Sequence, residues 1–408
     1  MEGLLRKVLT ITLVCSAFQG LSYNGEAFAQ EKGGSWAVKT GADRMTRGSF
    51  RDSYTSLGFN SFKVEFDHTA RAGDGFAESY GYPVFGIGVT YSTLSDVVFR
   101  SGKGYYADML SFYGIISRDL VRTRHLGFGY DVSLGLSYSD AYYNAVTNRS
   151  NWFFSSPVLL YVAGGGHLDW SFSQKFSLEA DISVRHNSSA RLAYPNGGLN
   201  YWGGGLSAIY RFSGLRPPSS HVFNSPKIPG SLYRRGWSYE VYAGGGVHAC
   251  AAEWLAFTKT ETKETVAATS LRKWPMASLS MDAIYRFAGR FAAGFTADGF
   301  WCSNTDRLRW ADNILYSEEE VAASKGYAPL SGGLGIVQEV FYRNIALYVQ
   351  EGIYLYRHAG IRGEHGPIYE RAGLRYYPEA LDPFFFSVCI KAHKFKADYL
   401  DFTIGIKL

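Results

Sequence analysis

The chain has 408 residues, a formal net charge of +5, 16% aromatic residues, 46 glycines and only 12 prolines. So small a charge excess does not require a nucleic-acid partner, although it suits a position near anionic lipid phosphates. Beyond the N-terminus no apolar run reaches about eighteen residues, which argues against a transmembrane helix. Aromatic and glycine-rich segments of alternating hydrophobicity are typical of a transmembrane β-barrel, and a secreted β-sandwich is the alternative.

The first segment, residues 1–29, has the features of a signal peptide rather than of folded structure. It has a basic pair at 6–7, and its apolar stretch at 8–18 is too short to span a bilayer. The alanines at 27 and 29 are the small residues that suit a cleavage site. We therefore expect an exported mature chain that begins at Gln30.

Alternating hydrophobicity predicts antiparallel strands along the rest of the chain, about 12–16 in number. Sixteen candidates are counted, of which the first two are weak. Their cores lie at residues 35–41, 61–68, 85–93, 107–118, 126–139, 158–171, 176–188, 200–212, 237–250, 273–287, 291–302, 330–342, 345–357, 368–377, 384–393 and 397–408. The fold class expected is all-β, a transmembrane antiparallel outer-membrane β-barrel.

The connections between these strands alternate in length. Short turns lie at 173–175, 288–290 and 342–344, and long polar segments lie at 140–155, 189–199, 251–272 and 303–329. Outer-membrane barrels place short turns in the periplasm and long loops outside the cell. The strand that ends near residue 188 is therefore expected to reach the outer leaflet.

The segment 213–235 divides the chain into two halves and contains four of the twelve prolines. Two closed sheets of eight strands are one interpretation of this division. One barrel over 30–408, with 213–235 as a periplasmic connection, is the interpretation that we favour, because open sheet edges are not tolerated in lipid.

Three cysteines remain after residue 29, namely Cys250, Cys302 and Cys389. None has the spacing of a metal ligand set, and none has the surroundings expected of a catalytic thiol. We expect no metal or other cofactor. A disulfide between Cys250 and Cys302 is left open, because both fall at strand ends on the same side.

The stretch 176–212 predicts a β-hairpin with an apolar face that ends in polar residues. Apolar side chains occupy alternate positions in 176–184, and the same parity continues to His186 and Ser188. On the returning strand the parity of the apolar positions leads back to Asn200. Since the apolar face of a membrane barrel faces lipid, these three polar residues are expected at its outer end.

Three other histidines are expected inside the barrel. His167, His248 and His393 share parity with charged neighbours, whereas the outward positions are apolar. We therefore expect them in hydrogen-bond networks of the lumen.

A serine beside a histidine can form a nucleophile and its general base. Serine attacks an ester only when a base accepts its proton, and histidine has a suitable pKa. His186 and Ser188 are two positions apart on one strand, and an amide such as Asn200 can orient the imidazole. The alternative is a rim histidine and a turn serine without chemistry.

The sequence around this pair resembles a known family. The run at 186–190 (HNSSA), followed by Pro-Asn at 195–196 and Gly-Leu-Asn at 198–200, resembles the signature of outer-membrane lipid A 3-O-deacylases. This PagL-like family is also called acyloxyacyl hydrolase. Its members are β-barrels that cleave an ester-linked acyl chain of lipid A with a Ser–His pair and an acidic partner. The run at 390–399 resembles longer members of the same group.

The resemblance implies a role for each matching residue. Ser188 would be the nucleophile, His186 the base, and Asn196 and Ser189 would serve the oxyanion or the substrate. Two positions depart from the pattern: Asn200 occupies the place of the acidic partner, and Ser189 replaces an asparagine.

We therefore expect a carboxylic ester hydrolase that acts on lipid A or lipopolysaccharide in the bacterial outer membrane. A porin-like or structural barrel without activity is one alternative. A protein that binds lipopolysaccharide without cleaving it is another.

Overall fold

The computed structural model describes residues 35–47, 58–70, 74–94, 106–212, 233–270, 272–363 and 366–408. The expected signal peptide lies outside these residues, as does most of the expected connection at 213–235. Sixteen β-strands lie within them, close to the positions that alternating hydrophobicity predicts.

The first eight strands form a closed antiparallel barrel. It closes because β1 pairs on both sides, which places Thr40 opposite Val64 of β2 and Ala208 of β8. The strands are β1 (Ser35–Arg47), β2 (Gly58–Thr69), β3 (Val84–Ser92), β4 (Met109–Arg122), β5 (Leu126–Tyr138), β6 (Val158–Ser171), β7 (Phe176–Ser188) and β8 (Leu199–Arg211).

The last eight strands form a second closed antiparallel barrel. Here β9 completes the ring, with Ala243 opposite Leu279 of β10 and Ile404 of β16. The strands are β9 (Gly236–His248), β10 (Trp274–Arg286), β11 (Phe291–Cys302), β12 (Tyr327–Tyr342), β13 (Ile345–Ala359), β14 (Ile368–Tyr376), β15 (Phe384–His393) and β16 (Lys396–Lys407).

The chain thus folds as two barrels of eight strands and not as the single barrel expected over 30–408. The argument about open edges holds for either arrangement, since each half pairs its last strand with its first and leaves no edge. The closure of each half on itself shows that the expectation of a single barrel was wrong.

Side chains alternate between an apolar outer face and a charged interior, as the pattern of the sequence predicts. Exposed apolar residues on the outside include Phe128, Val132, Leu136, Leu206, Phe295, Leu334, Leu347 and Phe402. Such an outer face matches a lipid environment. Both closed sheets are therefore β-barrels of the membrane-spanning kind.

The interiors of both barrels are filled by buried ion pairs. In the first barrel Lys63 binds Asp181 at 2.5 Å, beside a cavity of only about 40 Å³. In the second, Arg375 lies 2.6 Å from Asp282 and 2.8 Å from Glu339. Side chains fill the lumen of a barrel of this size, so the charges are paired with each other rather than with a column of water.

The three histidines expected inside are buried and hydrogen-bonded. Nδ1 of His167 lies 3.0 Å from Asp131, and Nδ1 of His248 lies 3.2 Å from Asp398. His393 lies 2.9 Å from the hydroxyl of Tyr354.

Short helices accompany the strands. They are α1 (Gly75–Ser79), α2 (Ala251–Thr260), α3 (Lys263–Thr269), α4 (Thr305–Leu315), α5 (Glu318–Ala322) and α6 (Gly360–Gly363). Among the described residues, none of the helices combines the length and the apolar character needed to cross a bilayer. Helices α2 to α6 occupy the long connections of the second barrel, at what we call the long-loop end.

Cys250, Cys302 and Cys389 are free thiols, so the possible bond between the first two is not formed. Burial raises the pKa of Cys250, at the start of α2, to about 11, which keeps this thiol protonated at neutral pH.

At the opposite, short-turn end, aromatic residues join the two barrels. The ring of Tyr342 in β12 packs against Phe76 at 5.4 Å and against Phe85 at 4.6 Å between ring centroids. Beside them, Arg343 of the second barrel pairs with Asp74 of the first.

Candidate active site

The predicted hairpin is formed by β7 and β8, with His186 directly opposite Asn200. The neighbouring residues of the same parity face outward, for Ile182 is 70% and Val184 is 62% exposed. His186 is half-buried and Asn200 is exposed at the long-loop end of this face. The parity argument from the sequence thus places both side chains correctly.

His186 and Asn200 are joined by a short hydrogen bond. Nδ1 of His186 lies 2.7 Å from Oδ1 of Asn200. With the amide oxygen as the acceptor, Nδ1 carries the ring proton, and Nε2 is left as the basic nitrogen. An amide can therefore fix the tautomer and the ring orientation that a general base requires.

Ser188 ends β7 and borders the same space as the imidazole. Gly198 lies between them: a Cβ atom at this position would be 2.8 Å from Cε1 of His186 and 3.5 Å from Cβ of Ser188. Its φ of +63° is also one that residues with a side chain rarely adopt. Glycine at 198 thus allows the backbone to approach both candidate residues.

The residue between His186 and Ser188 points inward and is hydrogen-bonded on both sides of its amide. Asn187 accepts a hydrogen bond from the hydroxyl of Tyr201 at 2.8 Å and donates one to Ser137 at 2.7 Å. Asn187 is completely buried. These bonds fix the end of β7 and so the relative positions of His186 and Ser188.

Ser188 itself is 6% exposed, because the loop 189–198 folds over the end of the hairpin. The backbone N–H of Ala190 points at its Oγ, at 3.4 Å. Ala190 (φ +47°) and Arg191 (φ +61°) are both left-handed, a conformation that costs free energy in residues other than glycine. Backbone strain therefore lies immediately after the candidate nucleophile.

The two residues expected to serve the oxyanion or the substrate bind each other. Oδ1 of Asn196 accepts a hydrogen bond from the N–H of Ser189 at 2.9 Å, which leaves the NH₂ group of Asn196 as a donor. The hydroxyl of Ser189 instead accepts a bond from the N–H of Ser155 at 3.1 Å and is 1% exposed. The Ser189 side chain thus holds the loop and does not face the site.

The connection between β5 and β6 supports the loop from the first barrel. Gly197 donates its N–H to the carbonyl of Trp152 at 3.0 Å, and Gly198 donates to Phe153 at 3.2 Å. The sequence marked 140–155 only as a long polar segment. Its contribution to the site depends on contacts about forty residues away, for which the sequence carries no local signal.

Comparison with known proteins adds a family match over the second barrel. Residues 237–408 match the model PagL_C, described as the C-terminal domain of acyloxyacyl hydrolase. The expected resemblance to PagL-like proteins is confirmed by this match. The match covers β9 to β16, whereas the candidate site lies in the first barrel. No curated protein matches the chain.

Solved structures that match the chain include the outer-membrane enzyme PagL, with 12% identity, a TM-score of 0.27, and coverage of 42% of this chain and 97% of that chain. Neisserial surface protein A has 14% identity, a TM-score of 0.27, and coverage of 44% and 97%. The Pseudomonas putida toluene transporter TodX has 8% identity, a TM-score of 0.16, and coverage of 92% and 88%.

Proposed function

We propose that this PagL-like outer-membrane protein is a lipid A deacylase, a serine esterase that hydrolyses an ester-linked acyl chain of lipid A in the outer leaflet. The observation that carries the proposal is the outward-facing His186–Asn200 hydrogen bond beside Ser188. A polar cluster on a lipid-facing surface is costly, which is why such residues usually have a function.

In the proposed reaction, Oγ of Ser188 attacks the acyl carbonyl carbon while Nε2 of His186 accepts the hydroxyl proton. The ester C–O bond then breaks, and His186 returns the proton to the departing alcohol oxygen. Water, activated by the same histidine, hydrolyses the acyl-enzyme and releases the fatty acid. Asn200 keeps the imidazole in position throughout.

The oxyanion formed during attack needs hydrogen-bond donors that are already in place. The NH₂ group of Asn196 is available, since its oxygen is engaged with Ser189. The N–H of Ala190, which points at Oγ of Ser188, is a second donor close to the reacting atoms. Both belong to the loop 189–198.

The outer surface of the hairpin supports lateral entry of a lipid. Below the site, Ile182 and Leu206 are 70% and 71% exposed, and Trp202 is 54% exposed. A lipid whose chains lie along this face would have an ester near the bilayer interface beside the His186–Asn200 pair, at the edge of the loop that covers Ser188. The buried ion pairs that cross the interiors of both barrels do not favour the alternative of a channel.

The proposal is tested by mass spectrometry of lipid A from cells that carry the native protein, Ser188→Ala or His186→Ala at equal outer-membrane levels. Loss of one acyl mass with the native protein alone is the expected result, and it identifies the chain removed. Identical lipid A in all three strains refutes the hydrolase. If the protein binds lipopolysaccharide without cleaving it, lipid A stays intact, and Ser188→Ala does not change the binding.

A further inference from the structure

The loop that covers Ser188 is attached to the second barrel by an ion pair. Arg191, three residues after Ser188 in the chain, extends its guanidinium to Asp398 of β16. Nη1 of Arg191 lies 2.9 Å from Oδ1 of Asp398, and both side chains are largely buried. A direct ion pair between largely buried groups favours the loop conformation in which it forms.

Two backbone hydrogen bonds reinforce the attachment. The carbonyl of Arg191 accepts from the N–H of Ala249, just after β9, at 2.7 Å. The N–H of Tyr194 donates to the carbonyl of Ser270, just after α3, at 3.0 Å. The ring of Tyr194 also stacks near Trp254 of α2, with 6.2 Å between centroids. The middle of the loop is therefore held by three separate parts of the second barrel.

Asp398 is itself held in place by the second barrel. Its Oδ1 lies 3.2 Å from Nδ1 of His248 in β9, and its Oδ2 lies 3.1 Å from Nζ of Lys391 in β15. A carboxylate bound from both neighbouring strands offers Arg191 a fixed position rather than a flexible one.

The Arg191–Asp398 ion pair explains how the strained backbone after Ser188 is maintained. Residues other than glycine keep a left-handed backbone conformation where several surrounding contacts hold them in it. The first barrel holds Ser189 through Ser155, and the second barrel holds Arg191 through Asp398, so that Ala190 is fixed between them. The N–H of Ala190 is the group that points at Oγ of Ser188.

We propose that Asp398 is a positioning residue for the site in the first barrel, so that the second barrel keeps the loop 189–198 in the conformation that supports attack by Ser188. The inference rests on the proposed function for its catalytic part. It assigns to the C-terminal barrel a role in turnover without any contact with the substrate.

The test compares purified full-length variants in detergent micelles, with lipid A as the substrate. Asp398→Asn removes the negative charge of the Arg191–Asp398 ion pair. Arg191→Gln removes the positive charge and leaves Asp398 paired with Lys391. Arg191→Lys is the conservative variant. Arg343→Gln is the matched control, because it breaks the ion pair with Asp74 between the same two barrels at the short-turn end.

Two quantities are measured: kcat and KM, and hydrogen exchange of the loop 189–198 against that of β7 and β8. We expect Asp398→Asn and Arg191→Gln to lower kcat about 10²-fold, with KM within about twofold, because a displacement of about 1 Å near the reacting atoms has such an effect. Loop exchange should rise while strand exchange stays unchanged. Arg191→Lys should recover part of kcat, and Arg343→Gln should match the native protein.

Native loop exchange and native kcat in the Arg191→Gln variant would overturn the proposal. An equal loss of kcat in Arg191→Gln and in the control Arg343→Gln would also overturn it, since this would indicate general coupling of the barrels. If the native protein shows no hydrolysis, the proposed function fails, and loop exchange alone decides whether Asp398 holds the loop. If Asp398→Asn does not fold, Arg191→Gln gives the answer.

Discussion

Replacing Asn200 by aspartate tests the assigned chemistry directly. Asn200 accepts a hydrogen bond from Nδ1 of His186 at 2.7 Å, so it already orients the imidazole. A neutral amide cannot stabilise the positive charge that the ring acquires when it takes the proton of Ser188. A carboxylate in the same position can, and we therefore expect Asn200→Asp to be faster than the native protein.

The magnitude follows from the charge that forms in the transition state. A carboxylate about 4 Å from the centre of the imidazolium charge would contribute about 4 kcal/mol at an effective dielectric constant of about 20. Asn200 is exposed, so solvent screening reduces this to at most about 1 kcal/mol. The expected increase in kcat is therefore up to about 5-fold.

The assay is release of fatty acid from lipid A in mixed micelles by the native protein, Asn200→Asp and Asn200→Leu. The leucine variant keeps the volume but loses the acceptor, so its kcat should fall below that of the native protein. Equal hydrogen exchange of β7 and β8 establishes that the hairpin is unchanged. An unchanged or slower rate for the folded aspartate variant would refute the assignment of Asn200 as the partner of His186.

Three further predictions concern the surroundings of the site. Gly198→Ala should abolish most of the activity in a folded barrel, because its Cβ atom would lie 2.8 Å from His186, and fatty acid release measured beside circular dichroism checks this. Ser189→Ala should destabilise the loop by about 1–3 kcal/mol, since the buried N–H of Ser155 loses its acceptor; hydrogen exchange of the loop measures the change. The thiol of Cys250, whose pKa burial raises to about 11, should react with iodoacetamide at pH 8 only after unfolding in denaturant, as followed by mass spectrometry. Alkylation of the folded protein at that pH would contradict the burial argument.

Much of the site was predictable because it depends on local periodicity. His186 and Asn200 end the apolar faces of two adjacent strands, and a period of two fixes the side on which each lies. The role of Ser189 was not predictable in this way. Its partner, Ser155, is reached only after the β5–β6 connection folds across the hairpin.

The strands, their inward and outward faces, and the hairpin that carries the candidate pair are all predictable from the amino-acid sequence. These properties need only the alternation of neighbouring side chains, which is the same wherever the strand is later paired. The closure of β1 on β8, rather than its continuation into a larger ring, appears only in the folded protein. So does the contact of Arg191 with Asp398, 207 positions away. Both outcomes depend on which distant segments come together, and no local pattern of hydrophobicity encodes that choice.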